Sequence, residues 1–131
     1  MELNLQAAGA IQILLALFHA FFPRRFGWKD ELAPLVLLTR QMMYVHTLFI
    51  AVVIFLLGVL CITSAHDLIS TTLGKRLCLG IAIFWALRLY IQFFGYSSEL
   101  WRGKKFETAV HIVFSIVWVY FTTTFLLVWL G

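Results

Sequence analysis

The sequence predicts an all-α integral membrane protein: a four-helix transmembrane bundle with antiparallel neighbours and a short interfacial segment between spans one and two. Three observations predict it. Of the 131 residues, 63% are hydrophobic and only 12% charged, about half the charged share of a soluble domain, and the mean hydropathy is +0.96. Apolar runs recur over residues 5–22, 40–63, 77–96 and 107–130, each near the roughly 20 residues that a helix needs to cross a bilayer. Lys and Arg gather mainly between those runs, so the net charge of +4 reports topology and does not point to nucleic acid. The four spans use most of the length, so residues 1–131 are expected to form a single domain.

Span one ends at Pro23 and Arg24-Arg25. Met1-Glu2-Leu3-Asn4 lacks the basic start of a signal peptide, and the small residues Ala7 to Ala10 precede the apolar run. The segment is therefore expected to be retained. Gln12 and His19 lie two turns apart on one helical face. Gln12 suits either a helix–helix hydrogen bond or a ligand contact.

The first connection holds Phe26, Trp28, Lys29, Asp30 and Glu31, then Pro34 and the run Leu35-Val36-Leu37-Leu38. Aromatic and basic residues together suit the headgroup layer, so this segment is expected to lie in the membrane plane. Span two follows from Arg40. His46, Ile50, Val53 and Leu57 fall on one stripe of it. Met42 and Met43, one turn before His46, are expected to pack, although thioethers can also ligate iron or copper.

The second connection is short and polar. His66 is expected to be solvated there, and Ser70 or Thr71 to cap the next helix. On span three Trp85, Arg88 and Gln92 share a face. All six carboxylates lie near span ends or in connections, so Arg88 has no carboxylate at its own depth. It either snorkels to an interface or meets an anionic or carbonyl-bearing ligand. Span four carries Glu107, His111, Ser115, Trp118 and Thr122 along one stripe.

Seven basic residues (Arg24, Arg25, Lys29, Arg40, Arg102, Lys104 and Lys105) border or occupy connections one and three, against Lys75 and Arg76 in connection two. The positive-inside rule then predicts a multi-pass protein of the cell membrane, with connections one and three cytoplasmic and both termini outside.

His19, His46, Gln92 and His111 each lie about four to six residues in from the cytoplasmic edge of a different span, hence within a few Å of one plane. Ionisable groups at such depth usually mark a function. In an antiparallel bundle spans two and four are diagonal, so His46 and His111 could supply both axial ligands of a b-type haem. Tyr44, Phe49, Phe93, Phe114 and Trp118 would offer flat walls. Arg88, or Arg40, Arg24 and Arg102, would meet the propionates. That reading predicts electron transfer, with quinone as an exchange partner.

A second reading is a membrane enzyme in which His19, His46 and His111 hold one Zn, Cu or Fe ion, with Gln92 or a methionine as fourth ligand. A di-iron site lacks the carboxylates it needs. A third is a cofactor-free subunit of a larger membrane complex or homo-oligomer, whose polar layer fixes helix register or holds a lipid or quinone. Covalent haem attachment is excluded, because no CxxCH is present. Cys61 and Cys78 sit at the outer ends of spans two and three. Two buried thiols are expected in preference to a disulfide.

Overall fold

Five helices make up the described part of the chain, and each begins or ends for a local reason. The computed structural model describes residues 1–25, 30, 33–94 and 105–131, with the side chains of 20–25 and of 107 left aside. The interfacial-segment reading and most of connection three, Arg102 included, fall largely outside the described residues. Among those residues all regular structure is helical.

Helix α1 spans Glu2–Arg25, with Glu2 in its first turn, where a carboxylate meets the positive end of the helix dipole. It runs through Pro23, which the sequence reading places just beyond its end. Helix α2 spans Leu37–Thr63. Val36 precedes it in an extended conformation, φ −58° and ψ 149°, and accepts the first helical bond from Arg40 N–H at 3.0 Å. At its far end the Ser64 N–H still reaches Leu60 O at 2.9 Å, but Ser64 has left the helical basin at φ −124° and ψ 26°.

The polar connection after α2 is itself partly helical. The short helix α3 spans Ala65–Ser70. Helix α4 spans Thr72–Phe94, and Thr71 caps it: its Oγ1 accepts from Gly74 N–H at 2.9 Å, which satisfies an N-terminal donor that the helix cannot. Gly74 has to be glycine for close approach, because a Cβ there would overlap Asp67 O and stand 2.5 Å from Leu68 Cα. Helix α5 spans Lys105–Leu130, and Gly131 closes it through a 2.9 Å bond to Leu127 O.

Among the described residues three stretches are long and apolar enough to cross a membrane: Leu37–Thr63, Thr72–Phe94 and, within α5, Thr108–Leu130. With 24 residues α1 is of similar length.

The chain divides into two units, Leu5–Ala65 and Met1–Asn4 with His66–Gly131. In the first, α1 meets α2 where Gly9 faces Gly58. A Cβ on either glycine would stand 2.6 Å from the other's carbonyl oxygen, so the backbones touch as they do at small-residue crossings of membrane helices. The buried face of α2 is Ala51, Ile54, Gly58 and Cys61. That face is one position round from the His46 stripe: His46, Ile50 and Val53 are exposed. A helix that is apolar all round carries no amphipathic signal, and the small side chains choose the packed face.

In the second unit α4 and α5 pack through large rings. Trp85, Phe121 and Phe125 are almost wholly buried. Trp85 stacks on Trp118 with centroids 5.1 Å apart and planes 12° apart, and Phe114 continues the stack on Trp118 at 5.6 Å and 11°. Offset stacks of this kind add about 0.5–1.5 kcal/mol per pair beyond area burial. Two bonds tie the first residues of the chain to this unit: Glu2 Oε1 meets His66 Nδ1 at 3.0 Å, and Asn4 O accepts from Tyr120 Oη at 3.3 Å.

Candidate functional site

The polar residues of α4 and α5 meet beside the ring stack. Arg88 and Gln92 are one turn apart on α4, which puts them one above the other on a single face. His111 and Trp118 are two turns apart on α5. Gln92 is 6% exposed and Trp118 3%, while Arg88 and His111 are half-buried.

Gln92 is the centre. Arg88 donates from Nη1 to Gln92 Oε1 at 3.2 Å, and the Trp118 indole N–H points to the same oxygen at 3.4 Å. On the other side of the amide, Gln92 Nε2 lies 2.8 Å from His111 Nδ1. Guanidinium and indole N–H groups can only donate. Both therefore require the amide oxygen on their side, and that orientation turns the NH₂ group onto His111. The Arg88 Cζ also stands 5.1 Å from the Trp118 ring centroid, within cation–π range. Gln92 and Trp118 thus solvate the guanidinium, and neither cancels its charge. Phe93 sets its ring edge-on to His111 at 5.7 Å. Ser115 and Thr122 return their hydroxyls to the carbonyls of His111 and Trp118, at 2.8 Å each, as hydroxyls within helices commonly do.

His19 and His46 belong to the Leu5–Ala65 unit, and each turns back on its own helix. His19 Nδ1 lies 2.9 Å from Leu15 O, and His46 Nδ1 lies 2.7 Å from Met42 O. A carbonyl only accepts, so in both rings Nδ1 carries a proton. His46 is exposed and His19 half-buried. Gln12 is fully buried and donates to Cys61 Sγ at 3.7 Å, so it does make a helix–helix bond. Arg40 reaches back to Ala33 O at 3.4 Å. Cys61 and Cys78 are buried and form no disulfide. His66 is exposed, as expected, and bonded to Glu2.

The structure thus brings together Arg88, Gln92 and His111 of the predicted set, and adds Trp118, which the sequence suggested only as a flat wall. Its position three residues beyond Ser115 on the polar stripe was the signal that it could donate into that face. Among the described residues no three His, Cys, Asp or Glu side chains are grouped so as to hold a metal ion. No protein family matches the chain, and neither the curated proteins nor the solved structures give a significant match.

Proposed function

We propose that the chain is a small membrane-embedded module that binds the head group of a molecule from the lipid phase on the Arg88–Gln92–His111–Trp118 cluster. The head group presents an oxygen acceptor, either a quinone carbonyl or a lipid phosphate. In this reading the protein is a four-span bundle that includes α1, with both termini outside and connections one and three in the cytoplasm, and it works as a subunit of a larger membrane complex or of a homo-oligomer.

The observation that carries the reading is the half-buried guanidinium of Arg88 on a helix of membrane-crossing length, held by a carbonyl and a ring face. A charge at membrane depth costs at least about 2.5 kcal/mol on insertion scales. A chain with no use for it would do better with leucine. The stacked rings of Phe114, Trp118 and Trp85 beside it suit a ligand with a flat head.

Haem b on His46 and His111 uses the same site differently. An axial ligand must present a bare ring nitrogen to iron, and the Gln92 NH₂ already occupies the bare nitrogen of His111. The tri-histidine metal enzyme asks the same of His111. The donor pattern favours an acceptor ligand over both.

The test is the content of the purified protein. Organic extracts of wild type and of Arg88→Gln, taken from the same membranes, are assayed for quinone and for lipid phosphorus per mole of protein. One of the two is expected at near-stoichiometric ratio in wild type and at about a tenth of that ratio in the variant, the loss corresponding to one charged hydrogen bond. Equal ratios in two well-folded proteins would sink the reading. A Soret band in the wild-type spectrum would put haem first.

A further inference from the structure

Three histidines that look alike in the sequence differ in where the ring proton sits. In His19 and His46 the partner of Nδ1 is a backbone carbonyl, so Nδ1 donates. In His111 the partner of Nδ1 is an amide NH₂, which cannot accept, so Nδ1 must accept. A neutral imidazole whose Nδ1 accepts holds its proton on Nε2.

We infer that Gln92 is a positioning residue that fixes His111 as the Nε2–H tautomer, and that it thereby makes the outer nitrogen of His111 a hydrogen-bond donor, selecting oxygen acceptors against metal ions. The lever is the clamp on Gln92. Rotating the amide by half a turn would let its oxygen accept from a protonated Nδ1. It would also turn the NH₂ against Arg88 Nη1 and Trp118 Nε1, and so lose two hydrogen bonds to gain one. A net hydrogen bond is worth about 1 kcal/mol and an uncompensated buried donor costs about 1–3, so the clamped orientation wins. The tautomer is thus set from two residues away, by groups on both helices.

Metal-binding histidines have the opposite arrangement. They donate one ring N–H to a carbonyl or carboxylate and leave the other nitrogen bare for the ion. Whatever meets His111 Nε2, from the chain or from a ligand, must accept a hydrogen bond. The tautomer assignment stands on the geometry alone; the choice of ligand class rests on the function proposed above.

Nitrogen-15 NMR of histidine-labelled protein in lipid nanodiscs reads the tautomer directly. The His111 signals are identified by their loss in His111→Asn and, should that variant not fold, by elimination with His19→Gln, His46→Gln and His66→Gln. The expected result is a neutral ring with the proton on Nε2 for His111, and a protonated Nδ1 for His19 and His46. A protonated Nδ1 on His111 in wild type overturns the assignment, whatever the protein binds.

Gln92→Glu supplies the second arm. A carboxylate only accepts, so His111 Nδ1 must become protonated, and the variant acquires the carboxylate–histidine pairing of a metal ligand. Zn²⁺ titration should then give at least tenfold tighter binding than wild type, the low end of what such outer partners contribute. Unchanged ¹⁵N shifts and unchanged Zn²⁺ affinity in Gln92→Glu would show that Gln92 does not set the tautomer. Failure of the proposed function shows separately, as an Nε2–H His111 in a protein whose extracts hold neither quinone nor phospholipid.

Discussion

The α1–α2 pair and the α4–α5 pair solve one problem in two ways. Helices in an apolar medium gain little from the hydrophobic effect and must associate through packing and hydrogen bonds. The α1–α2 pair does so by bringing backbones together at Gly9 and Gly58, with one buried polar bond from Gln12 to Cys61. The α4–α5 pair keeps its backbones behind large rings and links them through a polar network that crosses from Arg88 and Gln92 to His111 and Trp118. The first design leaves no room for anything but the two helices. The second gathers charge and directed hydrogen bonds in one place, and so it is the pair that carries the candidate site.

The comparison can be broken most severely at the rings. Trp85→Ala removes a side chain 1% exposed from the buried end of the stack, and should cost about 3–5 kcal/mol. Thermal unfolding in detergent should show it as the least stable single variant in the protein, and a loss below 1 kcal/mol would mean that the stack does not hold α4 to α5.

At the glycine crossing the change goes the other way, towards overpacking. Gly58→Leu must displace Gly9 O and Ile13, and should cost about 1–3 kcal/mol. The ligand content of the α4–α5 cluster should be retained in the molecules that remain folded. Loss of ligand in parallel with stability would show that the two pairs do not act separately.

Gly80 sharpens the contrast from within α4. A Cβ there meets nothing within 4 Å, so Gly80→Ala only removes backbone freedom from the unfolded chain. It should stabilise by about 0.5–1 kcal/mol. A destabilised Gly80→Ala measured in a bilayer would place a close neighbour against that face.

Much of the α4–α5 site was legible in the sequence, because helical spacing alone puts Trp85, Arg88 and Gln92 on one face and His111, Ser115 and Trp118 on another. For Gln12 the sequence left a helix–helix bond and a ligand contact equally open, and the fold gives it the bond to Cys61. The packed face of α2 was not legible. Leu, Val, Ile and Phe surround that helix, so hydrophobic period says nothing, and the informative residues were the small ones at 51, 58 and 61. Helix α3 was hidden because Ser64 to Arg76 read as a polar connection, whereas Ser70 and Thr71 hydroxyls bond back to His66 O and Asp67 O at 2.8 and 2.7 Å and sustain a short turn. The divergence of the three histidines was beyond sequence reasoning altogether. A ring's proton follows its partner, and only the fold chooses between a backbone carbonyl and an amide.

The bond from Tyr120 to Asn4 crosses 116 positions of the chain. It cannot form until α5 has left the ribosome. At roughly 5–20 residues per second the first four residues wait on the order of ten seconds for their partner. The same holds in part for Glu2, whose partner His66 is 64 positions away. The start of the chain is therefore among the last parts to settle, and the unit that holds the candidate site is finished by residues that were made first.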